Sequence, residues 1–102
     1  MTKNYTCPAE KLIDTSGIIH VDNYTLTNWN LEDVSEFKKD GADEDTNVFD
    51  FRYMDDDGYE YIYEFSIEAL ENAVILGNVI TLRDSEDAEV EIKCFNLTPN
   101  YI

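Results

Sequence analysis

Chemistry at a protein surface needs a nucleophile, a proton carrier or a set of ligands, and this chain is thin in all three. It holds one histidine, His20, inside IIHVDNYTLTNW, a stretch that reads as strand. No serine or cysteine beside it stands in a nucleophile motif. Cys7 and Cys94 are far apart, and no CxxC, HExxH or paired-histidine spacing occurs, so zinc is not expected. Four glycines provide no phosphate-cradling loop. The segment Asp55-Asp56-Asp57-Gly58 invites comparison with a calcium loop. With Gly58 at the sixth position, Asp55, Asp57 and Glu64 fall at the third, fifth and twelfth, but Tyr53 opens the loop and offers no suitable ligand there. The segment also alternates as strand where a calcium loop would run into helix. An acidic turn facing water is the expected reading, with no metal and no cofactor.

Carboxylates are the one abundant functional group. Twenty-three acids stand against seven bases, a net charge of −16 with a pI near 4.1. So many acids make any single catalytic pair uninformative. The surplus is concentrated: residues 31–92 hold twenty acids and four bases, while residues 1–30 are nearly neutral. Self-repulsion of this size destabilises a compact state, so aromatic burial must offset it. It also excludes direct binding to nucleic acid or anionic membranes, where phosphates require Lys and Arg. No apolar run is long enough to span a bilayer, and MTKNYTCPAE lacks the apolar core of a signal peptide. The expected compartment is the cytoplasm, with both cysteines reduced.

The elements that must position these acids centre on NVFDFRYMDDDGYEYIYEF, residues 47–65. Period-two alternation predicts a hairpin with an aromatic face. A two-residue loop would place Phe51 opposite Glu64. A three-residue loop, Asp56-Asp57-Gly58, pairs Tyr53 with Tyr61, Phe51 with Tyr63 and Phe49 with Phe65, and lets Gly58 take the left-handed conformation. The other face then carries Asp50, Glu60 and Glu64 around Arg52 and Ile62. Both Phe51 and Tyr61 are expected in the core.

Around this hairpin, residues 8–14 predict a short helix with Pro8 first. Ile18 to Trp29 forms either two short strands turning at Asp22-Asn23 or one bulged strand. Asn30 is the expected cap of a helix over Leu31, Val34 and Phe37, stopped by Gly41. Residues 40–47 form a loop carrying Asp43, Glu44 and Asp45. Ser66 caps a helix expected over residues 67–76, closed by Gly77-Asn78. A second hairpin, Val79–Arg83 with Glu89–Phe95, sets Ile80 and Leu82 against Val90 and Ile92, with Asp84, Glu86 and Asp87 in its loop and Glu89 and Glu91 on its outer face. The expected fold is one α+β domain, residues 1–102: an antiparallel sheet built mainly from two β-hairpins, with one or two short helices on one face.

Acids on one strand face recur roughly every 6.7 Å, and B-DNA offers a charge about every 3.4 Å along each strand. Two acidic strands and their loops approach that density. In MDDDGYEYIYE, DGADED and RDSEDAEVEIK, together with its size and pI, the chain resembles the small acidic inhibitors of phages and mobile elements, the anti-CRISPR and anti-restriction DNA mimics. The likeness is one of kind and carries over no residue. It implies a non-catalytic inhibitor that occupies the basic nucleic-acid-binding surface of a nuclease or CRISPR-type effector, as monomer or dimer. The expected contacts are Asp43, Glu44, Asp45, Asp50, Asp55, Asp56, Asp57, Glu60, Glu64, Asp84, Glu86, Asp87, Glu89 and Glu91. A different protein-binding module, such as an immunity protein against a basic toxin, shares these electrostatics. An acidic accessory domain without mimicry is the third reading.

Overall fold

A computed structural model describes residues 5–95. Helix α1, Pro8–Asp14, starts on the one residue that lacks the N–H a first turn leaves unbonded. At its other end the Thr15 and Ser16 hydroxyls donate to the carbonyls of Lys11 (2.8 Å) and Leu12 (2.6 Å). Strands β1 (Ile18–Val21) and β2 (Tyr24–Leu26) follow. Asp22 and Asn23 join them, with φ of 52° and 71°. Two consecutive left-handed residues make a tight two-residue hairpin loop, so the segment is two short strands and not one bulged strand.

Next come β3 (Asn30–Leu31) and α2 (Val34–Lys39). Here the expected helix cap moves. Asn30 and Leu31 pair with Asp50 and Phe49 as strand. Asp33 caps the helix instead, its carboxylate accepting from the Glu36 N–H at 3.3 Å. Asp33-x-x-Glu36 is itself a good cap spacing, and it frees Leu31 to pack on the aromatic sheet. The buried Glu10 carboxylate accepts from the Thr6 N–H (2.8 Å) and the Val34 N–H (3.3 Å), tying α1 to the start of α2.

The central hairpin, β4 (Asn47–Met54) and β5 (Glu60–Ser66), has the three-residue-loop register: Tyr53 opposite Tyr61, Phe51 opposite Tyr63, Phe49 opposite Phe65. Ser66 caps α3, Ile67–Glu71, accepting from the Ala69 N–H at 3.1 Å. This helix is half the expected length. Val74–Leu76 forms β6, paired across Gly77-Asn78 with β7, Val79–Arg83. A β-branched run before Gly-Asn favours a hairpin, and Gly77 takes φ 63°. Val74 and Leu76 are therefore exposed and do not form a helix's apolar face. Finally β8, Glu89–Phe95, pairs with β7 in the expected register, Ile80 to Ile92 and Leu82 to Val90.

The fold is α+β and antiparallel throughout, and the two main hairpins lie in different sheets. One sheet has the order β2-β1-β8-β7-β6, the other β3-β4-β5. Their inner faces share one core, in which Ile19, Val21, Ile80, Leu82, Val90 and Ile92 meet Phe49, Phe51 and Phe65. α3 packs between β5, β7 and α1. Facing inward, the sheets turn their polar faces in opposite directions, and that decides which acids can act together.

Candidate partner-binding surface

The inner face of β4–β5 changes character along its length. Phe49, Phe51 and Phe65 are buried beside α3. Tyr53 and Tyr63 are half-buried, and toward the tip Tyr61 is 41% exposed and Tyr59 67%. The expectation that Tyr61 is a core residue is therefore corrected. The hairpin reaches beyond the strands that cover it, so the last rings of the row stack on one another and meet water. Tyr53 lies 5.2 Å from Tyr61 and 4.5 Å from Tyr24, all near parallel.

Tyr24 belongs to the other sheet, so this stack joins the two. Asp22 completes the joint: one of its oxygens accepts from both the Tyr53 and Tyr63 hydroxyls at 2.7 Å. Burial raises both phenols above their ordinary pKa, and the hydrogen bonds to Asp22 raise them further. Asp22 was not among the expected functional residues. An Asp-Asn pair between two alternating stretches is the signal that places it at a turn, but its tyrosine partners come from strands about thirty and forty residues later.

The two acidic loops use one device. In the first, Asp55 accepts from the N–H groups of Asp57 (3.0 Å) and Tyr59 (2.9 Å). In the second, Asp84 accepts from Glu86 and Ala88, both at 2.9 Å. Each loop then places its fourth residue in the left-handed region, Gly58 at φ 87° and Asp87 at φ 63°. Asp55 and Asp84 thus hold their own turns. The carboxylates left to face outward are Asp56 and Asp57 in one loop, Glu86 and Asp87 in the other, and Asp87 lies 3.7 Å from Arg83.

The remaining acids fall into three places. Glu60 and Glu64 are exposed on β5, with Asp50 opposite Glu64 on β4. Arg52 reaches Glu60 at 3.9 Å, whereas neither Asp50 nor Glu64 has an ion pair among the described residues. Like charges directly across a ladder repel. Glu89 and Glu91 lie on the outer face of the five-stranded sheet, turned the other way. Asp43, Glu44 and Asp45 are exposed in the loop beside α3, where the Glu68 N–H donates to the Glu44 carbonyl at 2.9 Å. Lys38 bonds to Glu71 and lowers its pKa, while the hydrogen bond between the Glu44 and Glu71 carboxyls raises that of Glu44.

Among the described residues one main-chain bond joins the two hairpins: the Ser85 N–H donates to the Glu64 carbonyl at 2.9 Å. The second acidic loop therefore lies against β5. Asp87 turns toward Arg83 and shares a hollow with Glu89, so the result is a stripe along β5 from Asp56 and Asp57 at the tip, through Glu60 and Glu64, to the Ser85–Glu86 part of the second loop. Apolar side chains break into it, with Ile62 54% and Met54 61% exposed.

Elsewhere, His20 has its Nε2 2.8 Å from the Thr25 hydroxyl and its ring edge-on to Phe95. A hollow of about 410 Å³ adjoins it, lined by Asp22, Tyr63, Glu91 and Lys93 among others. Cys7 and Cys94 are free thiols, and burial raises the pKa of Cys94. Among the described residues no group of three or more His, Cys, Asp or Glu is placed to hold a metal, and no helix is long and apolar enough to cross a membrane. No family model, curated protein or solved structure matches the chain.

Proposed function

We propose that this protein is a non-catalytic acidic inhibitor that occupies the basic nucleic-acid-binding surface of a nuclease or CRISPR-type effector in the manner of a DNA mimic. The observation that carries the reading is the stripe along β5, and at its middle the cross-strand acids Asp50 and Glu64, which have Arg52 on the same face but no ion pair among the described residues. A rigid sheet that keeps like charges opposed gains most from a cationic partner. In this reading Asp50, Asp56, Asp57, Glu60, Glu64 and Glu86 make the contacts, while Asp87 faces Arg83. Asp55 and Asp84 act as positioning residues, and Glu89 and Glu91 lie outside the contact. A second reading, a protein-binding module of the immunity-protein kind, draws on exposed Met54, Tyr59 and Ile62 in the same region.

A pull-down of the tagged protein from host lysate, eluted along a salt gradient and read by mass spectrometry, separates the two. Mimicry predicts a nucleic-acid-binding protein or complex that releases steeply with salt and is displaced by duplex DNA. A partner that neither salt nor DNA displaces contradicts mimicry and favours the apolar module.

A further inference from the structure

β5 is the last strand of its sheet, and its outer edge is open where the side chains change from acidic to apolar. The Asp55 N–H donates to the Tyr59 carbonyl at 2.9 Å, which fixes the alternation of the antiparallel ladder from the tip. Tyr61 and Tyr63 then bond inward to β4, while the N–H and C=O groups of Glu60, Ile62 and Glu64 point outward. The Ser85 N–H already takes the outward carbonyl of Glu64, which agrees with that phase. Glu60 and Ile62 have no main-chain partner on the open side among the described residues. Ile62 stands 54% exposed between the two glutamates.

An edge of this kind accepts an added strand, whose side chains are read at every second position. The charges choose the occupant. A second copy pairing through β5 would set glutamates against glutamates around Ile62, which is unfavourable. Main-chain pairing is open at Glu60 and Ile62 only, because Ser85 holds the Glu64 carbonyl; a strand with Lys or Arg facing Glu60, an aliphatic residue facing Ile62 and a second basic side chain reaching the exposed Glu64 carboxylate meets complementary groups at all three. Its intervening side chains extend the row of Tyr61 and Tyr63. We infer that the β5 edge is a docking site for an extended peptide of the pattern basic–x–aliphatic–x–basic, bound by strand addition. This rests on the backbone edge and is independent of the proposed occupation of a nucleic-acid groove; either stands if the other fails.

The test uses the full chain and two synthetic peptides, one with the core Lys-Val-Ile-Val-Lys and one with Glu-Val-Ile-Val-Glu. Amide exchange followed by NMR should slow at least tenfold at Glu60 and Ile62 when the lysine peptide is bound, and the glutamate peptide should bind at least tenfold more weakly. Ile62→Pro removes an outward N–H without breaking the β4–β5 ladder and should weaken the lysine peptide at least tenfold. If that variant does not fold, Ile62→Ser keeps the backbone and the net charge, removes the aliphatic contact and should show the same loss. Unchanged exchange at both amides overturns the inference, as does equal affinity for the folded Ile62 variant, the mark of unspecific charge attraction. A dimer that Ile62→Pro turns into a monomer also overturns it, because the occupant is then a second copy.

Discussion

The hairpins β4–β5 and β7–β8 turn in the same way and differ in what flanks them. Each opens on an aspartate that accepts two N–H groups of its own loop, and each closes on a left-handed residue. β7–β8 sits in the middle of the five-stranded sheet, bonded to β6 on one side and β1 on the other. Its inner side chains are aliphatic and buried. β4–β5 ends a three-stranded sheet, with no strand beyond β5 among the described residues and its aromatic row fully buried only at the α3 end. Equal loops thus serve unequal ends. Neighbouring strands make one hairpin a scaffold, and their absence makes the other a presented edge.

The comparison breaks first at the buried end. Phe51→Ala should cost about 3–5 kcal/mol in urea unfolding, the cost of emptying an aromatic core position. Tyr61→Ala should cost about 1 kcal/mol, since it loses stacking on Tyr53 and one exposed hydrogen bond. Equal losses would mean that the row is buried to its tip.

The shared loop device predicts matched effects. Asp55→Ala and Asp84→Ala should each lose about 1–2 kcal/mol, as two N–H groups lose their acceptor. The left-handed positions should respond with opposite signs. A Cβ added at Gly58 meets nothing within 4 Å, so Gly58→Ala carries only the backbone cost, about 1 kcal/mol. Asp87→Gly should gain a similar amount by relieving the same strain. Chemical denaturation of the four variants checks both pairs.

The smallest effect concerns the joint between the sheets. Tyr53 and Tyr63 keep their protons above the ordinary phenol pKa of 10.0 when folded. Above pH 10 the unfolded chain releases those protons while the folded protein retains them. The stability they contribute is therefore complete below pH 10 and falls as pH rises toward the folded values. Tyr53→Phe should flatten this alkaline slope. An unchanged slope in a pH series of melting temperatures would show that Tyr53 does not carry it.

Much of the fold is legible in the sequence, because period-two patterns state which face is buried. The register of β4–β5 follows from Phe49, Phe51 and Tyr53 needing partners of their own kind, and that of β7–β8 from Ile80 and Leu82. The α3 boundary is not legible in this way, since IEALENAVIL satisfies a helical stripe as well as a helix followed by a strand, and only the free edge of β7 decides. Asn30 and Asp33 are both good caps, and packing of Leu31 on Phe49 chooses between them. The acids are legible as loops and strand faces. Their division is not, because it depends on the hairpins lying in two sheets that face each other. A Tyr–Asp joint between residues so distant in sequence leaves no local trace.

The most direct measurement compares two paired charge reversals with the same change in net charge, against the partner recovered by pull-down. One is Asp57→Lys with Glu60→Lys on the presented hairpin; the other is Glu89→Lys with Glu91→Lys on the scaffold hairpin. The account predicts that the first lowers affinity at least tenfold more than the second, with both proteins folded. Equal losses would show that total charge governs binding, and would contradict a defined surface along β5.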